Sequence, residues 1–570
     1  MDILKKIKFD LVEVINEYLK EEILEMGDII YPPNSDMGDL SLPMFKISKK
    51  IGKNPNELGS EFVTNFDILK KHVNILSSVS MVGAYLNFKL DKEKLNREVL
   101  KNILKHKENY GLKTLNKKEK IMIEFSNVNT HKEYHLGHLR NISYGDSVSR
   151  VLKAGGKNSI SVSYVNDFGI HTAKTIWALS EFYRDEKLPE NKGEFLGRVY
   201  ARATKESKDN KLAEGIIKGI MKKIESRKGE EYNLWKETRK WSIEQFDKIY
   251  KELDVEFVKK YYESELIDEG LEIVQDLINK NILKKSEGAV IADLEEYGLG
   301  VLVVLRSDGT ATYPVADIPL ARAKFKDFDL EESIYVVDNA QSLYLKQLFK
   351  ILDLLGFKKK KTHLSYDVVK LPSGKMSSRL GNTVTYAELK EKLLEKSLEE
   401  TKKRHVDWDE KKINTTAWEI SKGAMKFEML KVGANQIITF DINKALSFSG
   451  FTSAYLQYTY ARFKSIIRKS SKLNEKINYK NLKEDKEHQI VLKLAKYSEI
   501  IEKAALSYNP SEIAKYLFEL AQLSNDFYHS LPILKAEEET KQARLALINA
   551  ISQVVKNGLD LLGIGVVEEM

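Results

Sequence analysis

Cysteine is absent from the sequence, and its absence sets the first limits on the chemistry of the chain. Disulfide bonds, zinc sites built from thiolates and catalysis by a cysteine nucleophile are all excluded. A chain without cysteine also fits a reducing compartment, so we expect a cytoplasmic protein.

Proline and long apolar runs are scarce as well. Only 10 prolines and 30 glycines interrupt 570 residues, so long helices should dominate. No apolar run approaches the roughly 18–20 residues of a membrane-spanning helix, and we expect no membrane partner. The N-terminal stretch mixes acidic and basic side chains instead of placing a basic segment before an apolar one, so the sequence predicts no signal peptide.

Charged residues of both signs are abundant. There are 92 Lys and Arg against 84 Asp and Glu, a net charge of +8, and 42% of the residues are hydrophobic. This composition is typical of globular proteins. The mild basic excess permits a polyanionic partner without proving one, because the charges are spread along the chain.

Periodicity divides the chain into segments of different architecture. Residues 1–112 are predicted to form an α+β unit that closes with the strand-like segment VGAYLNFKL. The apolar segments at 121–125 and 160–165 flank a loop and a helix that starts near His135. Strand, helix and strand at this spacing predict the opening of a doubly wound parallel sheet of the Rossmann type.

The rest of the chain completes an α/β fold with helical additions. We expect the two halves of the sheet domain at 113–185 and 300–392, with strands resuming at 300–305 and 333–338. The highly charged segment 186–299 is predicted to be a helical insertion between them. Residues 393–445 are predicted to be a linking region and 446–570 an all-helical bundle.

The segment EFSNVNTHKEYHLGHLRN, at 124–141, carries the clearest chemical signal. His135 and His138 lie three residues apart at a predicted helix start, so both imidazoles face the same way. The helix N-terminus favours phosphate, and Gly137 leaves room for a nucleotide against the backbone. A chance match to H-x-G-H is expected only about 0.01 times in a chain of this composition. The segment therefore predicts a nucleotide site.

A second segment, KLPSGKMSSRLGN at 370–382, combines cations, hydroxyl groups and glycines. Such a loop can close over phosphates, although an ordinary solvated loop is an equally good interpretation of this segment alone. The residues concerned are Lys375, Met376, Ser377, Ser378 and Arg379. No P-loop motif, and no G-x-G-x-x-G motif in the expected place, accompanies it.

The two segments together resemble the signature pair of class I aminoacyl-tRNA synthetases. Further segments are similar to the arginyl-tRNA synthetase family in particular: YVNDFG (164–169), RSDGTATYPVADI (306–318), YVVDNAQSLYLKQLF (335–349), FTSAYLQYTYARFKSI (451–466) and the C-terminal residues 544–570. The resemblance implies an enzyme that activates arginine with ATP to arginyl-adenylate. It then transfers the arginine to the 3′-terminal adenosine of its tRNA, releasing AMP and pyrophosphate.

The resemblance also implies an arginine site. A guanidinium never deprotonates, so its recognition requires carboxylates and oriented acceptors in a dry pocket. Asp317 would pair with the guanidinium, and Asn129 would help to hold the α-ammonium. Viewed singly, a tyrosine and an aspartate four residues apart are commonly a helix-surface pair, and an asparagine often only forms a turn. The implied arginine-binding residues are Glu124, Ser126, Asn129, Tyr313, Asp317 and Gln341.

One departure from the family pattern affects catalysis. Ser378 occupies the position where most class I enzymes have a second catalytic lysine, and the resemblance marks Lys132 as the substitute. The implied catalytic residues are Lys132, His135, His138 and Lys375, and those around ATP are His135, Gly137, His138, Lys375, Met376, Ser377, Ser378 and Arg379. Mg²⁺ is expected to accompany ATP and pyrophosphate, with no metal bound by the protein itself.

The loops around Lys132 and Lys375 show no apparent rigid anchor in the sequence. The resemblance to the arginyl family implies that tRNA is needed before arginine can be activated, and assembly of these loops by bound tRNA would be the physical reason.

Recognition of the tRNA is assigned less specifically. A predicted helix of the C-terminal bundle mixes aromatic, polar and cationic side chains, as RNA loops require. Its candidate tRNA-binding residues are Tyr455, Gln457, Tyr458 and Arg462. Packing inside the bundle is an equally good interpretation for Tyr458 and Tyr460. The family's N-terminal domain touches the corner of the tRNA, and we expect the enzyme to be a monomer.

Three alternatives remain open. A class I synthetase for glutamate or glutamine would need a cationic pocket, whereas Asp317 and Glu124 are acidic. A nucleotidyltransferase with H-x-G-H is usually a far shorter chain without a C-terminal bundle. A non-catalytic RNA-binding relative would not need His135, His138 and Lys375 intact.

Overall fold

The structure is a computed structural model that describes residues 2–372, 374–375, 384–470, 472–474 and 476–570. Four residues predicted to contact ATP, Met376, Ser377, Ser378 and Arg379, lie outside the described residues. Only the backbone of Lys375 is described.

The N-terminal unit is a three-stranded antiparallel sheet covered by helices. Its elements are α1 (Ile3–Leu19), β1 (Leu40–Pro43), α2 (Phe45–Ile51), α3 (Pro55–Thr64), α4 (Phe66–His72), β2 (Leu76–Val82) and β3 (Tyr85–Leu90). The strand order is β1–β3–β2. Side-chain caps set the starts of two helices: Asp2 accepts from the backbone N–H of Leu4, and Asn54 from that of Asn56.

A parallel sheet of five strands forms the centre of the molecule. The first elements of this part of the chain are α5 (Lys92–His106), β4 (Asn116–Glu124), α6 (Leu136–Ala154), β5 (Lys157–Val165), α7 (Ile170–Phe182), α8 (Lys192–Glu206), α9 (Lys211–Glu225), α10 (Glu230–Glu252) and β6 (Lys259–Tyr262). They are followed by α11 (Ile267–Asn279), β7 (Lys284–Ser286), β8 (Ala289–Asp293), β9 (Val301–Leu305), α12 (Tyr313–Phe328), β10 (Glu332–Asp338), α13 (Ser342–Leu354) and β11 (Lys360–Tyr366).

The strand order β11–β10–β4–β5–β6 places the first strand at the centre of this sheet. All four pairings are parallel. The chain order reverses between β4 and β10, and ligands bind at the carboxyl ends of strands at such a switch point. The fold therefore predicts a ligand site at the carboxyl ends of β4 and β10.

The middle of the chain differs from the sequence prediction in two respects. The segment 186–299 was expected to be a helical insertion, yet β6 pairs with β5 in the central sheet. The strand at 300–305 was expected to belong to that sheet, but β9 lies in a separate antiparallel sheet with β7 and β8. The residues of β6, KKYY, carry no apolar run that would predict a strand, and the apolar run of β9 predicts a strand without indicating its partner.

The C-terminal half of the chain is almost entirely helical. Short strands β12 (Val369–Leu371), β13 (Gly374–Lys375) and β14 (Ile438–Thr439) pair beside the helices α14 (Tyr386–Arg404), α15 (Glu410–Leu430) and α16 (Ile442–Ala445). The bundle consists of α17 (Ser453–Arg468), α18 (Asp485–Ala495), α19 (Tyr497–Ser507), α20 (Ser511–Ser530) and α21 (Glu538–Leu561).

The predicted fold class is confirmed: a Rossmann-type parallel sheet lies between an N-terminal α+β unit and a C-terminal helical bundle. In the described part of the chain, no helix combines the length and the apolar character that crossing a bilayer requires.

Candidate active site

The two histidines of the H-x-G-H motif lie at the start of α6, beside the carboxyl end of β4. His135 is the N-cap residue of α6, and its Nδ1 accepts from the backbone N–H of Gly137 at 3.1 Å. The Nδ1 of His138 accepts from the backbone N–H of His135 at 3.2 Å. The two rings stack with their centroids 3.8 Å apart.

The protonation state of both rings follows from this arrangement. Burial, together with the charge of Lys132, lowers the pKa of His135 to about 4. Burial first, and then His135 and Lys132, hold the pKa of His138 well below its usual value. Both imidazoles are therefore neutral at physiological pH. Because each Nδ1 accepts a backbone hydrogen, the ring hydrogen sits on Nε2, and two neutral N–H donors are available for a phosphate.

Lys132 supplies a positive charge beside these rings. Its ammonium lies 5.2 Å from the centre of the Tyr200 ring on α8. Among the described residues, no carboxylate lies within ion-pair distance of it. The charge is thus not neutralised locally, and it contributes to the lowered pKa of both motif histidines.

The expectation that the Lys132 loop has no rigid anchor is wrong. The neighbouring His131 is fully buried, and its backbone N–H donates to the hydroxyl of Ser242 on α10 at 2.9 Å. On the other side of Lys132, the backbone of Glu133 packs directly against Gly197 of α8. The anchors come from residues more than 60 positions later in the chain, so local sequence gave no sign of them.

Asp317, on α12, is a half-buried carboxylate whose electrostatics suit a cationic ligand. It accepts a hydrogen bond from the phenol of Tyr344 on α13. Burial raises the pKa of Asp317 to about 7, with the charge of Glu124 adding to the effect and the bond from Tyr344 opposing it. A carboxylate held in this state gains from a partner with a fixed positive charge.

Glu263 is a second such carboxylate, and it was not predicted from the sequence. It follows β6 directly and accepts from the side-chain amide of Asn166 at 3.4 Å. Burial, and after it the charge of Asp317, raises the pKa of Glu263 to about 8. No motif surrounds this residue, so only the return of the chain to the central sheet shows that it faces Asp317.

Glu124, one of the predicted arginine-binding residues, lies in the same region. It is buried at the end of β4 and forms an ion pair with the fully buried Lys324 of α12. The ammonium of Lys324 also lies 3.9 Å from the centre of the Tyr335 ring. The charge of Glu124 is therefore already paired with that of Lys324, and its predicted part in binding arginine stays a prediction.

The remaining predicted arginine-binding residues differ in their availability. Tyr313 is 64% exposed at the start of α12, and Gln341 is exposed where α13 begins. Asn129 forms a parallel bridge with Asn166 beyond the ends of β4 and β5. Ser126 is buried, and its hydroxyl donates to the phenol of Tyr250 at 2.9 Å, so its side chain serves the packing of the loop.

The candidate tRNA-binding residues of α17 divide into surface and core. The guanidinium of Arg462 lies 4.6 Å from the centre of the half-buried Tyr458 ring. The phenol oxygen of Tyr455 accepts from Asn525 at 2.8 Å. Gln457, in contrast, is fully buried and donates to the backbone oxygen of Gly565 at 2.9 Å. Gln457 therefore holds helices together, and its predicted contact with RNA is corrected.

Within the described residues, no group of three or more histidine or acidic side chains could hold a metal ion.

Comparison with known proteins accounts for the whole chain. The family model described as "tRNA synthetases class I (R), catalytic domain" matches residues 99–441. The "DALR anticodon binding domain" matches residues 456–570, and the "Arginyl tRNA synthetase N terminal domain" matches residues 3–90.

Individual relatives agree with the family models. The arginine–tRNA ligase of Bdellovibrio bacteriovorus is 36% identical over 95% of this chain and 94% of its own length. That of Clostridium acetobutylicum is 32% identical over 98% and 99%. Among solved structures, the arginyl-tRNA synthetase of Thermus thermophilus matches with a TM-score of 0.81 and 25% identity, covering 99% of each chain. That of Plasmodium falciparum shares the fold with a TM-score of 0.76 at 22% identity, covering 100% of this chain and 99% of its own.

Proposed function

The chain belongs to the class I arginyl-tRNA synthetase family and is an ATP-dependent arginine–tRNA ligase, and from this premise we propose how its residues carry out the reaction. The observation that carries the proposal is the pair Asp317 and Glu263. Both are half-buried carboxylates with a raised pKa, while the nearby Glu124 is already paired with Lys324.

The guanidinium of arginine binds to Asp317 and Glu263. A planar fork of five donors can satisfy both carboxylates at once, and its charge restores their ionised state. Tyr344 donates a hydrogen bond to one oxygen of Asp317 and so helps to orient the carboxylate toward the guanidinium. Tyr313 covers the open side of this pocket, since its ring lies 6.1 Å from that of Tyr344.

The α-ammonium end of the substrate lies toward β4 and β10. Asn129 and Gln341 provide amide oxygens there, one after the end of β4 and the other after the end of β10. With the two ends of arginine held, its carboxylate is directed to the start of α6, where ATP binds.

Activation proceeds by attack of the arginine carboxylate on the α-phosphorus of ATP, with pyrophosphate leaving in line. His135 and His138 donate from Nε2 to phosphate oxygens, supported by the partial positive charge of the α6 N-terminus. Lys132 supplies the cation that the developing charge requires, and Lys375 neutralises the pyrophosphate. Positioning and charge stabilisation carry the catalysis. Mg²⁺ enters as part of the ATP substrate.

Transfer to tRNA completes the reaction. The 2′-hydroxyl of the terminal adenosine attacks the adenylate and AMP leaves. Tyr455, Tyr458 and Arg462 on the bundle and the N-terminal unit hold the rest of the tRNA. We propose that a single chain is sufficient for this work. Because charged tRNA supplies protein synthesis, its proposed location is the cytoplasm.

An exchange assay with substrate analogues tests this function. Arginine-dependent ATP–pyrophosphate exchange is measured in the presence of total tRNA, with arginine, citrulline, lysine and glutamine supplied separately. Citrulline matches the shape of arginine without its charge, so the acidic pair predicts activity with arginine alone. Exchange with glutamine or citrulline at a rate near that of arginine would contradict the proposed pocket.

A further inference from the structure

One face of helix α10 supports the loop between β4 and α6. Thr238, Ser242, Phe246 and Tyr250 recur every four residues and therefore lie on the same side of the helix. All four are buried. We call this set the α10 stripe.

Each member of the α10 stripe contacts the loop. The phenol of Tyr250 accepts from the Ser126 hydroxyl at 2.9 Å. The Ser242 hydroxyl accepts from the backbone of His131 at 2.9 Å, and Thr238 contacts the His131 ring at 2.8 Å. The Phe246 ring lies 6.3 Å from that of Tyr134. The helix thus follows the loop from end to end.

His131 is the most constrained residue of this loop. Its side chain is 0% exposed, and its φ of 63° is a left-handed conformation that non-glycine residues rarely adopt. Such a conformation is unfavourable and persists only where the surroundings fix it. Strain of this kind next to a catalytic segment is typical of positions that hold a reactive group in place.

The ring of His131 is held at both nitrogens. Thr238 already donates its hydroxyl hydrogen to the backbone oxygen of Leu234 at 2.8 Å, so it can only accept from the Nε2–H of His131. Nδ1 then accepts from the hydroxyl of Thr130 at 2.9 Å. Burial lowers the pKa of His131 to about 3, so the ring stays neutral and both bonds persist across the working pH range.

Lys132 follows His131 directly, and its other neighbour is fixed as well. The Cβ of a side chain at Gly197 would lie 3.1 Å from the backbone nitrogen of Glu133, so α8 and the loop approach each other closely. The ammonium of Lys132 lies over Tyr200, three residues further along α8. Both neighbours of Lys132 and its charged end are therefore held by α8 and α10.

We propose that His131 is a positioning residue that, through Thr238 and Ser242, fixes Lys132 at the catalytic centre. This inference rests on the proposed catalytic role of Lys132. If His131 acts in this way, the inserted helices α8 and α10 set the position of Lys132, the proposed substitute for the lysine that Ser378 replaces. If His131 only stabilised the fold, the loss of activity caused by disturbing it would be the same with and without Lys132.

The test removes the acceptor for His131 without changing its volume. Thr238→Val is compared with Thr238→Ser, which keeps the hydroxyl, and with Thr401→Val as the matched control. Thr401 is a buried threonine of α14 whose hydroxyl also bonds four residues back, to Ser397 at 2.7 Å, away from the loop. We expect Thr238→Val to lower kcat for exchange about 10- to 100-fold, with KM for arginine and ATP within about twofold. Thr238→Ser should recover most of the rate, and Thr401→Val should keep it.

The same substitution is then made in a Lys132→Ala background. If His131 acts through Lys132, Thr238→Val causes no further loss there. An equal loss in both backgrounds would overturn the proposal, and so would a loss caused by Thr238→Val when Lys132→Ala alone is fully active. Should Thr238→Val not fold, Ser242→Ala removes the backbone anchor with less disturbance, and the same two results decide.

Failure of the proposed function is distinguishable from failure of this inference. The first would appear as absence of arginine-dependent exchange in the parent enzyme. The second appears only in an active parent, as an equal loss from Thr238→Val with and without Lys132.

Discussion

Burial, and after it the charge of Asp317 on α12, raises the pKa of Glu263, which follows β6, to about 8. The two carboxylates come from segments that are far apart in sequence, and they meet beside the end of the central sheet. Among the residues that the structure describes, no cation pairs with either of them in the way that Lys324 pairs with Glu124. This unbalanced pair is the feature on which the proposed arginine pocket rests.

Arginine binding should become tighter as the pH rises. A carboxylate must be ionised to bind the guanidinium, and the pKa values of about 7 for Asp317 and about 8 for Glu263 mean that both are partly protonated at neutral pH. KM for arginine should therefore fall between about pH 6 and pH 8.5, by up to about tenfold per pH unit for each group. KM for ATP should not follow this trend. In Glu263→Gln, the fall above about pH 7 should largely disappear.

The same residue should limit the stability of the free enzyme. Because the pKa of Glu263 is raised from 4.5 to about 8, the folded chain binds more protons than the unfolded chain between these values. The free energy of unfolding therefore decreases as the pH rises through that window. Glu263→Gln should raise the Tm of the free enzyme at about pH 8 by about 1–3 °C, and the gain should vanish near about pH 5.

Glu487 provides the contrasting variant for this measurement. It is fully buried but is paired with Arg544 at 2.7 Å, so Glu487→Gln leaves a buried guanidinium without its partner and should lower Tm. Thermal unfolding at about pH 8 should therefore show a higher Tm for Glu263→Gln and a lower Tm for Glu487→Gln. A lower Tm for Glu263→Gln at every pH would mean that Glu263 stabilises the fold.

Lys132 should be required for the chemical step. Lys132→Ala removes the cation beside His135 and His138, and we expect the adenylation rate to fall on the order of 10²–10³-fold with little effect on folding. Lys192→Ala is the matched control, since Lys192 also places its ammonium over an aromatic ring, 4.8 Å from the centre of Trp241. Adding Ser378→Lys to Lys132→Ala should restore part of the rate. Full activity of Lys132→Ala would remove it from the catalytic set.

The surface of α17 should matter for tRNA and not for arginine. Tyr458→Ala removes a ring that is available for stacking with a base, which is worth about 1–3 kcal/mol, so KM for tRNA should rise about 5- to 150-fold. KM for arginine should stay constant. Tyr297→Ala serves as the control. The Tyr297 ring also lies beneath a cation, since the ammonium of Lys350 is 3.4 Å from its centre, but it lies on the small sheet of the insertion. An equal KM for tRNA in Tyr458→Ala and Tyr297→Ala would mean that Tyr458 does not contact the tRNA.

The helical elements and the nucleotide motif could be predicted because their signals are local. Periodicity and turn residues act within a few positions, and α6 begins where His135 caps it, as the motif indicated. Partners that are distant in sequence could not be predicted. Lys324 balances Glu124, and Ser242 anchors the Lys132 loop, yet neither pair shares a motif.

The placement of strands shows the same limit. The apolar segment Val301–Leu305 predicts a strand, but its pairing with β8 could not be predicted from the sequence. Glu263 was missed for this reason, since it acquires its position only from the return of β6 to the central sheet.

The central claim, that Asp317 receives the guanidinium, is tested most directly by the arginine dependence of ATP–pyrophosphate exchange in Asp317→Asn. Asp327→Asn is the matched control: it lies on the same helix, and its carboxylate likewise accepts from a tyrosine, Tyr261 at 2.8 Å. A charge-assisted pair in a partly buried pocket is worth about 2–4 kcal/mol, so KM for arginine should rise about 30- to 1000-fold in Asp317→Asn, with KM for ATP nearly unchanged. Asp327→Asn should leave both constants near those of the parent. An unaltered KM for arginine in Asp317→Asn would contradict the account.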